Sequence, residues 1–206
     1  MSVSKWWTLA VVAVTIALLA GLIGELHRAP VDVQTRGPAA GSDVDLDVLR
    51  TRADLPPCWG GVGQAGPVAL RGVAVECAAD GSPVDAAAMF AGRRVVLNLW
   101  AYWCGPCRDE LPAFADYQHR VGSDVAVITV HQDDNEAAGL ALLAELGVRL
   151  PTVQDGRRRI AAALRVPNVM PATVVLNADG SVARILPQTF ANAQQIAAAV
   201  DSNGRR

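Results

Sequence analysis

Apolar and polar positions follow three different patterns along the chain. Trp6 to Gly24 is an uncharged, strongly apolar run of about 19 residues, long enough to cross hydrocarbon as one helix. From Ala29 to about Ala53 there is no sustained period. Pro, Gly, Asp and small residues dominate, and the stretch reads as a flexible tether. Beyond it, short apolar runs alternate with helix-period stretches. Val68–Leu70 and Val73–Cys77 read as short strands, with a turn at Asp80-Gly81-Ser82-Pro83. Asp85–Phe90 reads as a short helix ended by Gly92. Strands follow over Val95–Leu99, Val125–Val130, Leu150–Val153, Ala172–Leu176 and Ser181–Leu186. Helices are predicted over Arg108–Arg120, Glu136–Leu146, Arg157–Leu164 and Gln188–Val200. Asn135 is placed to cap the Glu136 helix and Gly147 to stop it. Asn177-Ala178-Asp179-Gly180 is a hairpin turn between the last two strands. This order of strands and helices defines an α/β domain.

The chain therefore divides into a membrane anchor over 1–28, a linker over 29–54 and a folded domain over 55–206. Residues 55–83 form an N-terminal extension, and 84–200 form the α/β core. Lys5 before the apolar run favours an N-terminus inside the cell, and Trp6 and Trp7 sit where interfacial aromatics anchor a span. A cleaved signal peptide has a shorter apolar region and a small-x-small site after it, and Gly24-Glu25-Leu26-His27-Arg28 offers none. An uncleaved anchor is the favoured reading. The remainder then faces an oxidising exterior, where disulfides persist.

Composition adds two constraints. A net charge of −2 gives no footprint for a polyanion, so no nucleic-acid partner is implied. The 4 cysteines are consistent with two pairs. Cys104 and Cys107 form a C-x-x-C, while Cys58 and Cys77 are too far apart to complete a zinc ribbon with it. His119 and His131 read as solvated, Asp133 and Asp134 as a capping loop, and no metal or cofactor is expected.

The chemistry concentrates in Trp100-Ala101-Tyr102-Trp103-Cys104-Gly105-Pro106-Cys107. A strand feeding a helix that opens with C-x-x-C puts the first sulfur at the helix N-terminus. Unpaired N–H groups and the helix dipole there stabilise a thiolate, the species that attacks a disulfide. Pro106 falls in the first turn, where its missing N–H costs little. Cys104 is then the nucleophile and Cys107 the resolving thiol.

Trp103-Cys104-Gly105-Pro106-Cys107 resembles the thioredoxin active-site signature. The longer run from Leu97-Asn98-Leu99-Trp100 to Cys107-Arg108-Asp109-Glu110-Leu111-Pro112 resembles the membrane-tethered TlpA/ResA-type branch. The resemblance implies a thioredoxin fold, a mixed central sheet flanked by helices, with an N-terminal β-hairpin extension and one transmembrane helix. It also implies a cis Met170–Pro171 peptide opposite the cysteines, with Met170 offering its backbone to an extended substrate segment. Trp103, Gly105 and Pro106 would border that segment. Cytosolic thioredoxins carry a buried Asp where Asn98 stands, so its proton-handling role is unfilled here. Glu110, three residues after Cys107, is the candidate replacement, set against a surface glutamate favoured by the helix dipole. Pro112 matches a helix-kinking proline.

Cys58–Cys77 is expected to be a structural disulfide, with a second redox pair as the alternative. The function these readings support is a thiol–disulfide oxidoreductase that reduces disulfide-bearing client proteins outside the cytoplasm. By resemblance the clients include proteins of cytochrome c maturation, and a membrane thiol carrier is the electron donor. The alternatives are a disulfide-donating oxidase and a client-binding module without turnover.

Overall fold

The computed structural model describes residues 42–60 and 66–201. The membrane anchor expected over 1–28 lies outside these residues. Among those described, no helix is long and apolar enough to cross a membrane.

Of the linker expected over 29–54, residues 29–41 lie outside those described, and the first described element corrects the remainder. Ser42–Ala53 is helix α1. Leu46, Leu49 and Ala53 share one face at helical spacing and pack into the core. The alternating Asp43, Asp45 and Asp47 hide that stripe from a composition reading. Val68–Leu70 is a 3₁₀ turn rather than a strand. Strands β1 (Ala74–Cys77) and β2 (Pro83–Asp85) then form the antiparallel hairpin expected of the N-terminal extension. Asp85 caps the short helix α2 (Ala86–Met89) by accepting from the Ala88 N–H at 2.8 Å.

The rest alternates. β3 (Arg94–Trp100), α3 (Gly105–Val121), β4 (Val125–His131), α4 (Glu136–Leu146), β5 (Thr152–Gln154) and α5 (Arg159–Ala163) lead to β6 (Ala172–Leu176), β7 (Val182–Leu186) and α6 (Ala193–Asp201). Asn135 caps α4 as expected, and Gly147 ends it in the left-handed region at φ 64°. α6 begins later than the periodicity predicts. The preceding residues carry Phe190 into the core, and the Asn192 side chain accepts from the Gln194 and Gln195 N–H groups.

The seven strands form one mixed sheet in the order β2-β1-β5-β4-β3-β6-β7. β3 is parallel to β4 and antiparallel to β6. Alternation along β3 assigns each side chain to a face. Val95, Leu97 and Leu99 enter the cluster under α2 and α5, while Val96 and Trp100 enter the one under α1, α3, α4 and α6. Asn98 lies on the second face, toward α3. Fully burying each large side chain in these clusters contributes about 1.5–3 kcal/mol. The two clusters hold the end of β3, and with it the start of α3, in place.

Candidate redox site

Cys104 leaves β3 through a tight turn, its N–H donating to the Ala101 carbonyl at 3.0 Å. It is the N-cap of α3, with φ −82° and ψ 101°. Its Sγ accepts from the Cys107 N–H at 3.2 Å, the contact a helix start offers to a thiolate. Pro106 sits in the first turn. Cys104 and Cys107 are joined as a disulfide; Cys104 is 5% exposed and Cys107 fully buried. Of the two, only Cys104 retains exposed surface.

The loop before β6 closes the site from the other side. Met170–Pro171 is cis. Leu99 pairs with Ala172, so this peptide stands at the sheet end where β3 delivers Cys104. Met170 packs on the cluster that contains both sulfurs. Tyr102, Trp103 and Val169 are exposed apolar side chains on the loops at this end, Trp103 at 60%. Gly105 and Pro106 are exposed as well. The Trp103 indole N–H donates to Asp133 Oδ2 at 2.9 Å, and Asp133 Oδ1 accepts from the Asn135 N–H. The Asn135 N–H first, and the indole second, hold the Asp133 carboxyl below its ordinary pKa.

Glu110 is not a surface residue. It is fully buried, one turn after Cys107 on α3. Its carboxylate accepts from Asn98 Nδ2 at 2.6 Å and from the Phe190 N–H at 3.1 Å. Burial pushes its pKa up from 4.5 to about 7, against the opposing pull of the two hydrogen bonds. Asn98 thus acts as the partner of Glu110, and neither Asn98 nor Phe190 shows that role in its local sequence.

His131 is also buried, at 1% exposure, rather than solvated. Its ring lies 4.6 Å from Trp100, and Nδ1 is 2.7 Å from Gln154 Oε1. Gly139 makes room for it, since a Cβ there would meet the ring at 2.8 Å. Burial lowers the His131 pKa, which keeps the imidazole neutral. Gln154 Nε2 donates to the Asp133 carbonyl, so this buried group underlies the loop that holds Trp103. No group of three His, Cys, Asp or Glu that could hold a metal occurs among the described residues.

Cys58 and Cys77 form a second disulfide. It joins the segment before the hairpin to β1, where Cys77 pairs with Val153 of β5. Neither sulfur caps a helix. Trp59 beside it donates to the Met89 carbonyl at 2.9 Å and lies 4.9 Å under the Arg93 guanidinium.

A thioredoxin-type sheet, a C-x-x-C pair at a helix start and a cis proline beside it define a thioredoxin-fold dithiol protein. The Redoxin family matches residues 62–195, more than half of the chain. The chain belongs to the Redoxin family. It is similar to the thiol-disulfide oxidoreductase ResA of Bacillus subtilis, 31% identical over 100 residues, 48% of this chain and 55% of that protein. The chain spans about half the length of the curated relatives it matches. Among solved structures it resembles a secreted Mycobacterium tuberculosis disulfide oxidoreductase homologous to E. coli DsbE. That likeness has a TM-score of 0.55 at 21% identity, over 65% of this chain and 97% of the other. A DsbF homologue from Corynebacterium diphtheriae gives a TM-score of 0.56 at 22% identity, over 68% and 86%. At these identities the structures speak for the fold.

Proposed function

We propose that the protein is a thiol–disulfide oxidoreductase that reduces disulfides of exported client proteins. The observation that carries the reading is Cys104 at the N-cap of α3, with Cys107 buried behind it and Met170–Pro171 alongside. In the reduced protein, the Cys104 thiolate attacks one sulfur of a client disulfide and releases the other as a thiolate. Cys107 then loses its proton and attacks Cys104 Sγ. The second client thiolate leaves, Cys104–Cys107 becomes a disulfide, and the two electrons it has given up now reside on the reduced client. A membrane thiol carrier returns the pair to the dithiol. Glu110 accepts the Cys107 proton, a task suited to a buried carboxyl whose pKa is pushed up to about 7. Trp103, Gly105 and Pro106 border the client segment, and Met170 offers it a backbone edge.

The apolar run from Trp6 to Gly24 supports a single-pass tether, with the N-terminus in the cytoplasm and the redox domain outside. The resemblance of the run from Leu97 to Pro112 to the TlpA/ResA-type branch supports clients in cytochrome c maturation. Cys58–Cys77 serves as the structural bridge.

The decisive measurement is the reduction potential of Cys104–Cys107. A reductase requires a value nearer the roughly −270 mV of thioredoxin than the roughly −120 mV of the oxidant DsbA. A value close to the latter assigns the protein to disulfide donation instead.

A further inference from the structure

Both sides of the docking edge converge on one side chain outside the signature. Arg158 stands just before α5, with a left-handed backbone at φ 55°. Its Nε donates to Gln132 Oε1 at 3.2 Å, and its Nη1 donates to Asn168 Oδ1. Gln132 is 5% exposed, and its N–H donates to the carbonyl of Trp100, the last residue of β3. It also directly precedes Asp133, which holds Trp103. Asn168 lies two residues before Met170, in the loop that leads into the cis peptide. One guanidinium therefore spans from the strand end that delivers Cys104 to the loop that presents Met170.

The backbone of Arg158 is fixed independently. Its N–H donates to the Asp155 carbonyl at 2.8 Å, and Asp155 also accepts from the Arg159 and Ile160 N–H groups. A residue with a Cβ adopts φ 55° at a cost that glycine avoids. Arg165 has similar backbone geometry, φ 57°, without a side-chain hydrogen bond among the described residues. The two side-chain bonds of Arg158, and not its backbone alone, set it apart from Arg165. A planar fork holds its donors in fixed, separated directions toward two oxygens, whereas an ammonium is a compact point charge on a flexible stem.

We propose that Arg158 is a positioning residue that sets the client-docking edge by tying the Met170 loop to the end of β3. This rests on the reading of the protein as a client reductase. A small disulfide needs only Cys104. An extended peptide also needs the Met170 backbone at the right distance from Trp103, so the effect of Arg158 falls on peptide binding and spares the sulfur chemistry.

The test compares two probes on the full chain: an unstructured peptide with one intrachain disulfide, turned over with dithiothreitol as reductant, and dithiobis(nitrobenzoate), reduced in a single turnover by protein that has been pre-reduced and freed of dithiothreitol. Arg158→Ala should raise KM for the peptide about fivefold with kcat within about twofold, and leave reduction of the small probe unchanged. Arg158→Lys should recover part of the loss. Asn168→Ala, which leaves Arg158 in place, should reproduce the rise. The double variant should be no worse than the weaker single, because both remove one link. An unchanged peptide KM, an equal loss on the small probe, or additive effects would overturn the proposal. Failure of the unaltered protein to reduce the peptide would instead overturn the functional reading beneath it.

Discussion

The two disulfides have the same covalent bond and different surroundings. Cys104–Cys107 closes three residues at the start of a 17-residue helix, with one sulfur reachable and the other buried. Cys58–Cys77 closes 19 residues, pins a leading segment to a hairpin and has no helix dipole to stabilise a thiolate. Exchange chemistry needs a thiolate, an approach path and a nearby second thiol. Both pairs join a buried sulfur to a less buried one, Cys104 at 5% exposure and the half-buried Cys58, and only the first has a helix start to stabilise the thiolate. The second has what a staple needs, a longer loop to constrain in the unfolded chain.

The sharpest break of this comparison is at the sulfurs of the first pair. Cys104→Ser should abolish peptide reduction. Cys107→Ala should trap clients as mixed disulfides through Cys104, read by non-reducing electrophoresis and mass spectrometry. Absence of any Cys104-linked adduct would reverse the order of attack. The next effect should be on stability. Replacing Cys58 and Cys77 together by alanine should lower unfolding free energy by about 3 kcal/mol, within a range of about 2–5, in denaturant titrations. The rate of peptide reduction should hold. A large fall in that rate would give the second pair a redox role.

A smaller effect on the rate than loss of either active-site sulfur is expected at Glu110. Glu110→Gln should slow reduction about tenfold and remove a rise in rate through pH about 7, where the buried carboxyl becomes a proton acceptor. The same shift sets a stability profile. The folded pKa lies above the ordinary 4.5, so the folded chain keeps this proton to higher pH than the unfolded one. Stability should therefore fall as pH rises from about 4.5 to about 7 and level off above, by about 3 kcal/mol at most. The Gln variant should lack that fall. An unchanged rate and an unchanged pH profile would leave Glu110 without a part in proton transfer.

What was legible in the sequence was whatever local signals encode. Asn135 and Gly147 mark both ends of α4, and the glycine turn marks the β6–β7 hairpin, because caps and turns act over a few residues. The Cys104 site was legible because motif and helix start coincide. What was not legible depends on neighbours distant in sequence. The stripe on α1 gains meaning only against α4, where Arg50 pairs with Glu136 at 3.0 Å. His131 is buried because Gly139 opposes it, and Glu110 is buried among Asn98 and Phe190. Arg158 gives no local sign of linking Gln132 to Asn168.

The amide of Asn98 also has a consequence for cycling. Its Nδ2 donates to Glu110, while the buried Oδ1 has no hydrogen-bond partner among the described residues. A carboxylate can only accept hydrogen bonds; a carboxylic acid also has one to give. An aspartate at this position could serve one of those two states and would oppose the other by its charge. An amide has a donor and an acceptor of nearly equal size, exchanged by a half-turn of its end group. The amide at this position therefore offers the Glu110 carboxyl a matching partner in either protonation state.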